Sequence, residues 1–389
     1  MSRFSFYCPF CFEYVRAYEI EFFCDHCNKE MGKRVPSPLE KLGVASSPRR
    51  MLHEECGQYS TDRICPHCKN HLPVAIDELS DLTIAIIGAK ESGKSHYIAL
   101  LIHRIKQLHQ EFGWTLTALD DATITRYRER FYYPLFKSHT TIPATRSGHA
   151  DNEVTRPLLY SLRLGKNGKY KRVMLAFFDT AGEDLDQEQH KMGLINRYIF
   201  NASGIICLLD PLQLSKVRGE LIDRIGKAAL PEVNTDTGTI LNRVVNLIRN
   251  GRTAQGRSVS SSKKINIPLA VAFSKIDTVA IPDEDATDIL MPESCVLFQE
   301  DRHRGSFNLG EFQNTNSLMR DWILAADDQT CDIVQQCDEF ENRAFFGFSA
   351  LGCNPQETQT LSHDPRPIRV EDPFIWILYQ NGLIKGTKD

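Results

Sequence analysis

The stretch Leu82-Thr83-Ile84-Ala85-Ile86-Ile87-Gly88-Ala89-Lys90-Glu91-Ser92-Gly93-Lys94-Ser95-His96 decides the fold. Its first six residues form an apolar, β-branched run of strand length, as a strand buried in a parallel sheet requires. The run enters a loop of the form G-x-x-x-x-G-K-S. Beyond the loop, Ile98, Leu101, Ile102 and Ile105 recur on one helical face. Strand, glycine loop and helix, in that order, are the context in which this spacing signifies phosphate binding. The glycines let backbone N–H groups curl around phosphate oxygens at a helix N-terminus. Lys94 is expected to reach the β- and γ-phosphates and to act in catalysis, and the Ser95 hydroxyl to coordinate Mg²⁺. Residues 88–96 as a whole are expected to line the nucleotide.

Working outward, residues 172–178 form a strand that ends in Asp179-Thr180-Ala181-Gly182-Glu183-Asp184. This D-x-x-G closely resembles the third signature motif of the small-GTPase-like, translation-factor-related class. The resemblance implies that Asp179 holds Mg²⁺ through water and that the Gly182 amide senses the γ-phosphate. A further strand, 267–273, leads into Ser274-Lys275-Ile276-Asp277, which resembles the N/T-K-x-D element of GTPases. The Asp277 carboxylate can accept both the ring N–H and the exocyclic amine of guanine, a pair that adenine does not offer. Lys275 would lie along the base. Ser in the first position departs from the pattern and is expected to weaken one hydrogen bond that ties the loop. Residues 343–348 then enter Ser349-Ala350-Leu351-Gly352, which resembles the S-A-K/L element whose backbone meets the guanine oxygen.

The resemblance also implies a threonine that senses the γ-phosphate before the strand at 158–164. Thr155 fits that distance and Thr145 is a rival. Glu183 takes the position of a water-positioning Gln in many small GTPases. A carboxylate cannot donate to the γ-phosphate and adds negative charge where charge develops, so slow hydrolysis that awaits an Arg supplied in trans is expected. Arg146 and Arg156 could act in cis, although surface charge accounts for them as well.

Strands are thus expected near 82–87, 158–164, 172–178, 204–210, 267–273 and 344–348. All but the second can be parallel, with 158–164 hairpinned to its successor as an antiparallel edge strand. A last helix near 373–379 should pack on the sheet and bury Trp376. The fold class is a P-loop α/β sheet with helices between the strands, and ligands belong at the C-terminal strand ends. The run from Phe178 to Leu185, with Arg197-Tyr198-Ile199 and Ala202 through Pro211, is similar to the TRAFAC-type double-GTPase domains of bacterial conflict and defence gene clusters. That resemblance spans roughly 82–384 and implies a regulated switch in an antiviral or similar system, with protein partners encoded nearby. One complete set of nucleotide motifs is visible, hence one GTPase domain, 80–389.

The first 77 residues carry different chemistry. Cys8-Pro-Phe-Cys11 and Cys24-Asp-His-Cys27 are two C-x-x-C knuckles, enough for one tetrahedral zinc in a ribbon at 1–30. His53-Glu-Glu-Cys56 and Cys65-Pro-His-Cys68 supply a second set at 51–77, one histidine with three cysteines, in which His67 or His71 are rivals to His53. An arrangement in which the outer knuckles pair across these modules would leave no mark in the sequence. Two structural Zn²⁺ are expected, doing much of the folding work in so short a segment. Proline-containing residues 31–50 read as a linker.

The 389-residue chain has a formal net charge of -4, which offers no bulk signal for nucleic-acid binding. A zinc ribbon or the basic, Ser/Gly-rich insert 247–264 could still contact nucleic acid; that insert reads as a flexible loop. No apolar run approaches the roughly 20 residues of a membrane span. Cysteines clustered in knuckles, with no signal-peptide core, point to a cytoplasmic protein.

Overall fold

The apolar run at 82–87 lies within a nine-residue strand at the centre of a seven-stranded sheet. The computed structural model describes residues 5–143, 156–165, 170–179, 197–225, 230–233, 237–250, 263–299, 303, 305–326, 330–356 and 358–388. The N-terminal part contributes β1 (Ser5–Tyr7), β2 (Tyr14–Arg16), β3 (Glu21–Cys24), β4 (Lys29–Glu30), β5 (Met51–His53), β6 (Gln58–Ser60) and β7 (Asp62–Ile64). The sheet follows with β8 (Ser80–Gly88), β9 (Thr115–Ala118), β10 (Leu158–Leu164), β11 (Lys171–Phe177), β12 (Gly204–Leu209) and β13 (Leu269–Phe273). Two short segments, β14 (Ala280–Ile281) and β15 (Met291–Pro292), pair with each other. Then come β16 (Phe307–Asn308), the sheet strand β17 (Arg343–Gly347), and β18 (Gly386–Thr387), which pairs with β16.

The sheet order is β17-β13-β12-β8-β11-β10-β9. The expected strands and the parallel pairings of β11, β8, β12, β13 and β17 are present. The antiparallel strand β10 is not an edge, because β9 pairs antiparallel to its far side. Gly113, at φ +69, ends the preceding helical turn and lets the chain reverse into this four-residue strand, too short to show a period.

Strand alternation divides the core. Ile84 and Ile86, Leu175 and Phe177, and Ile206 and Leu208 face the helices Lys94–Gln107 and Asp372–Gln380. Trp376 is buried in this layer, as expected. Ala85 and Ile87, Ile205 and Cys207, and Val271 and Phe273 face the opposite layer, which holds the helices Ser215–Ile225, Thr237–Asn250 and Leu309–Ala326. Among the described residues, that opposite layer holds no helix under β10 and β11. There Leu159, Met174 and Ala176 pack on Phe6, Phe10, Val15 and Ile20 of the cysteine-rich segment and on Ile76 and Leu79. The N-terminal part therefore completes the core of the sheet.

The expected division into successive modules at 1–30 and 51–77 gives way to one unit, since β3 pairs with β7 across the intervening chain. Residues 31–50 hold a helical turn, Pro38–Lys41. Its N-cap Ser37 accepts from Glu40 N–H, and Glu40 is held by Arg34 at 2.8 Å. The insert begins later than expected, because the helix Thr237–Asn250 runs into it and Arg249 pairs with Glu339.

Candidate functional site: nucleotide loops and cysteine clusters

The glycine loop follows β8 directly, and Gly93 caps the helix Lys94–Gln107 at φ +85. A Cβ on Gly88 would sit 2.5 Å from Ser92 Oγ and 2.6 Å from the Leu208 carbonyl, so only glycine lets β12 pass this close. Ser92 closes the loop by donating its hydroxyl to Ala89 O at 2.9 Å. Lys94 Nζ donates to Gly88 O at 3.0 Å and Ala89 O at 2.7 Å, so the ammonium lies over the loop. The Ser95 hydroxyl donates to both Asp179 oxygens, at 2.9 and 3.0 Å. That bond joins the ends of two adjacent strands and presents an all-oxygen donor pair suited to a hard cation.

His96 follows. Loss of solvent, and secondarily the Lys275 charge, push its imidazole down to about 4. Its Nε2 accepts from the Ile142 N–H at 3.1 Å, tying the chain before residue 144 to the glycine loop.

The other two loops meet at the ends of β13 and β17. Ser274 keeps a tie of its own, since both its N–H and its hydroxyl donate to Leu209 O, at 2.8 and 3.1 Å. Its Cβ lies 4.0 Å from where a Gly93 Cβ would be. Lys275, at φ +53, donates to Asp210 Oδ2. The Ile276 N–H donates to Phe348 O at 3.1 Å, and Ser349 pairs with Ile368. Burial raises the Asp277 carboxyl above its usual range, although a hydrogen bond from Ser349 opposes the rise. Asp277 Oδ1 is buried without a hydrogen-bond partner. Such an oxygen fits a ligand that brings its own N–H donors. Gly352 turns the last loop at φ +67, and its N–H donates to Ser349 Oγ at 3.0 Å. Ala350 and Leu351 lie between these two residues.

Lys94, Ser95, Asp179, Ser274, Lys275, Asp277 and Ser349 thus stand at the C-terminal ends of neighbouring strands. Thr145, Arg146, Thr155, Gly182 and Glu183 lie outside the described residues, as does most of the insert 247–264. Arg156 is engaged by Asp120 at 3.3 Å and by the Phe10 ring at 5.5 Å. Sequence reasoning missed Asp210 as the partner of Lys275. Its signal was an Asp-Pro pair at the end of a buried strand, where Asp210 also accepts from Leu212 N–H. It missed Tyr198 too, whose hydroxyl donates to Ile84 O at 2.6 Å and accepts from Ile86 N–H at 3.2 Å. A tyrosine in an amphipathic run gives no signal of such a contact.

The cysteines form two groups, Cys8, Cys11, Cys65 and Cys68, and Cys24, Cys27, His53 and Cys56, with ligand atoms within 4.8 Å of one another. The pairing is nested: outer knuckles together, inner knuckles together. This replaces the expected pairing of successive knuckles and retains all eight residues, His53 included. His71 is paired with Asp62 and belongs to neither group. Sulfur–sulfur separations of 3.8, 3.9 and 3.7 Å join Cys8 to Cys68, Cys11 to Cys65 and Cys24 to Cys56. These are the edges of a tetrahedron with metal–sulfur bonds of about 2.3 Å, the length zinc prefers. Each knuckle is followed at once by a residue in the left-handed region: Phe12 (φ +55), Asn28 (φ +54), Gly57 (φ +68) and Lys69 (φ +59). In the outer pair this turn is fixed identically. Phe12 N–H donates to Cys8 O and Lys69 N–H to Cys65 O, both at 2.9 Å.

The loops and the sheet define a GTP-binding P-loop domain. A family model, Double-GTPase 2, matches residues 82–287, just over half of the chain. The chain belongs to that family. It is also similar to a protein named as a putative ESX-1 scaffolding and assembly protein, SaeC, of Mycolicibacterium smegmatis, at 25% identity over 335 residues, covering 82% of this chain and 80% of that one. Among solved structures, the Ski7 GTPase-like domain of S. cerevisiae bound to GTP gives a TM-score of 0.31 at 12% identity, over 79% of this chain and 51% of that one. A protein named as a putative nucleolar GTP-binding protein 1, of Plasmodium falciparum, gives 0.29 at 12% identity, over 80% and 91%. Superpositions this loose carry no argument, and the assignment rests on the family model and the loops.

Among the described residues no helix is long and apolar enough to cross a membrane. The expected defence setting is not what the SaeC relative suggests; its name speaks of scaffolding and assembly.

Proposed function

We propose that this chain is a slow GTP-hydrolysing switch within a protein scaffold, with two structural zinc ions holding the module that packs under its sheet. The observation that carries the guanine assignment is the buried, unpartnered Oδ1 of Asp277 between the Ser274 and Ser349 loops. Guanine brings two adjacent N–H donors to that carboxylate. Lys94 neutralises phosphate charge from the glycine loop. Ser95 and Asp179 are the residues that would hold Mg²⁺, which would offset phosphate charge when bound. In hydrolysis, water attacks the γ-phosphorus, the bond to the β-phosphate oxygen breaks, and GDP and phosphate leave. Glu183, in place of a glutamine, keeps the intrinsic rate low, and a partner's Arg would raise it. The scaffold reading draws on the name of the SaeC relative and on the fused N-terminal module.

The test is nucleotide binding and turnover by the purified chain, GTP against ATP, comparing wild type with Asp277→Asn. A GTP preference that shifts toward xanthine nucleotides in the variant is the expected result. ATP preference, or a variant that binds as wild type does, would overturn the guanine assignment. Metal analysis should find two zinc ions per chain, and rapid unaided turnover would refute the slow-switch reading.

A further inference from the structure

The four knuckles share one backbone turn, yet only one places a bulky aromatic residue at its left-handed position. Asn28, Gly57 and Lys69 suit that conformation or tolerate it with an exposed side chain; Phe12 is almost fully buried. Its surroundings explain the choice. The Phe12 ring lies 5.4 Å from Phe178 and 5.1 Å from Tyr198, and those two rings are 5.2 Å apart. Phe178 immediately precedes Asp179, whose carboxylate accepts from Ser95. Tyr198 reaches the backbone of β8, the strand that feeds the glycine loop. The same turn makes two more bonds to this region: Asn201 Nδ2 donates to Phe12 O at 3.1 Å, and Glu13 pairs with Arg197. Phe10, inside the knuckle, lies against Arg156, which leads into β10.

The knuckle and the two residues that follow it therefore touch the residue before Asp179, the first described residues after 196, and the chain entering β10. In P-loop GTPases the segments next to such positions are the ones whose order answers to the γ-phosphate.

We propose that the Cys8–Glu13 knuckle, with Phe12 as its positioning residue, couples metal occupancy of the Cys8/Cys11/Cys65/Cys68 site to the state of the nucleotide site. A left-handed phenylalanine persists only where its surroundings over-determine it. Metal bonds to Cys8 and Cys11 fix the turn from one side, and the Phe178–Tyr198 pair receives the ring on the other. By linkage, whatever the metal does to nucleotide affinity the nucleotide does to metal affinity. Among the described residues the second cluster shows no such contact, and none of its ligands belongs to the packed cores. The proposal rests on the guanine and zinc readings above.

The test uses the full-length, zinc-loaded chain with GDP or a non-hydrolysable GTP analogue, with nucleotide occupancy measured in each sample. A maleimide challenge followed by peptide mass spectrometry gives separate alkylation rates for the Cys8–Cys11 and Cys24–Cys27 peptides. The expected result is a difference of about fivefold or more between nucleotide states at Cys8–Cys11, and less than about twofold at Cys24–Cys27. In Phe12→Ala carrying two zinc ions the first difference should collapse, and Phe12→Leu should restore part of it. Should Phe12→Ala not fold, Glu13→Gln, which removes only the Arg197 ion pair, should reduce the difference. Equal rates in the two states with nucleotide bound, or a difference that survives in both Phe12→Ala and Glu13→Gln, would overturn the coupling. Failure to bind any guanine nucleotide would instead overturn the reading on which it stands.

Discussion

The two cysteine clusters have nearly the same chemistry and very different settings. In the outer-paired cluster Cys8 and Cys65 belong to a packed core that includes Leu159, Met174 and Ala176 of the sheet. The inner-paired cluster sits where β3 meets the hairpin of β5 and β6, beside Leu52 and Tyr59, which are 43% and 62% exposed. Metal-ligand chemistry alone does not reveal what a site does for the fold. The surface behind the ligands decides whether an ion supports a local turn or the wall of a distant domain.

The sharpest way to break this contrast is to remove one ligand from each cluster. Cys65→Ser should lose the outer metal and lower thermal stability by more than about 10 °C, with loss of GTP binding, because zinc binding of this kind amounts to folding free energy. Cys56→Ser should lose one zinc ion and leave GTP affinity within about twofold of wild type. Equal losses in the two variants, read by calorimetry and nucleotide binding, would erase the distinction.

Phe12→Ala comes next, at about 3–5 kcal/mol of unfolding free energy for a buried aromatic in a packed core. Denaturant melts would check it, and a cost below about 1 kcal/mol would mean that the knuckle merely rests on the sheet. A mild chelator should strip the two ions at separate rates, the inner-paired ion first, since only the outer-paired ligands are packed into the core under the sheet; simultaneous loss would count against the contrast. Smallest of all, Tyr59→Ser should change stability by about 0.5 kcal/mol or less, as expected for an exposed surface position.

Much of the candidate nucleotide site was legible because its chemistry is local. Gly88, Gly93, Lys94 and Ser95 lie within eight consecutive residues, and the Ser274–Asp277 and Ser349–Leu351 runs each follow a strand that announces itself by composition. What joins these runs was not legible. The bond from Ser95 to Asp179 spans 84 positions and that from Lys275 to Asp210 spans 65. No periodicity encodes such contacts. The candidate cysteine ligands could be picked out one by one from knuckle spacing, whereas their grouping could not, because successive and nested arrangements use the same four knuckles. β9 escaped for another reason: four residues at a sheet edge carry too little pattern to distinguish a strand from a loop.

The nested pairing also sets a timetable for the chain as it leaves the ribosome. The inner loop, from Cys24 to Cys56, spans 32 positions and can close before Cys65 and Cys68 have been made; the outer loop, from Cys8 to Cys68, spans 60 and closes around it. Even then Phe6, Phe10 and Ile20 have no sheet to cover, since β10 and β11 are still about ninety residues from synthesis. Until then the apolar face that these residues turn to the sheet lacks its folded-state cover. That cover is complete only once the strand Lys171–Phe177 has joined the sheet.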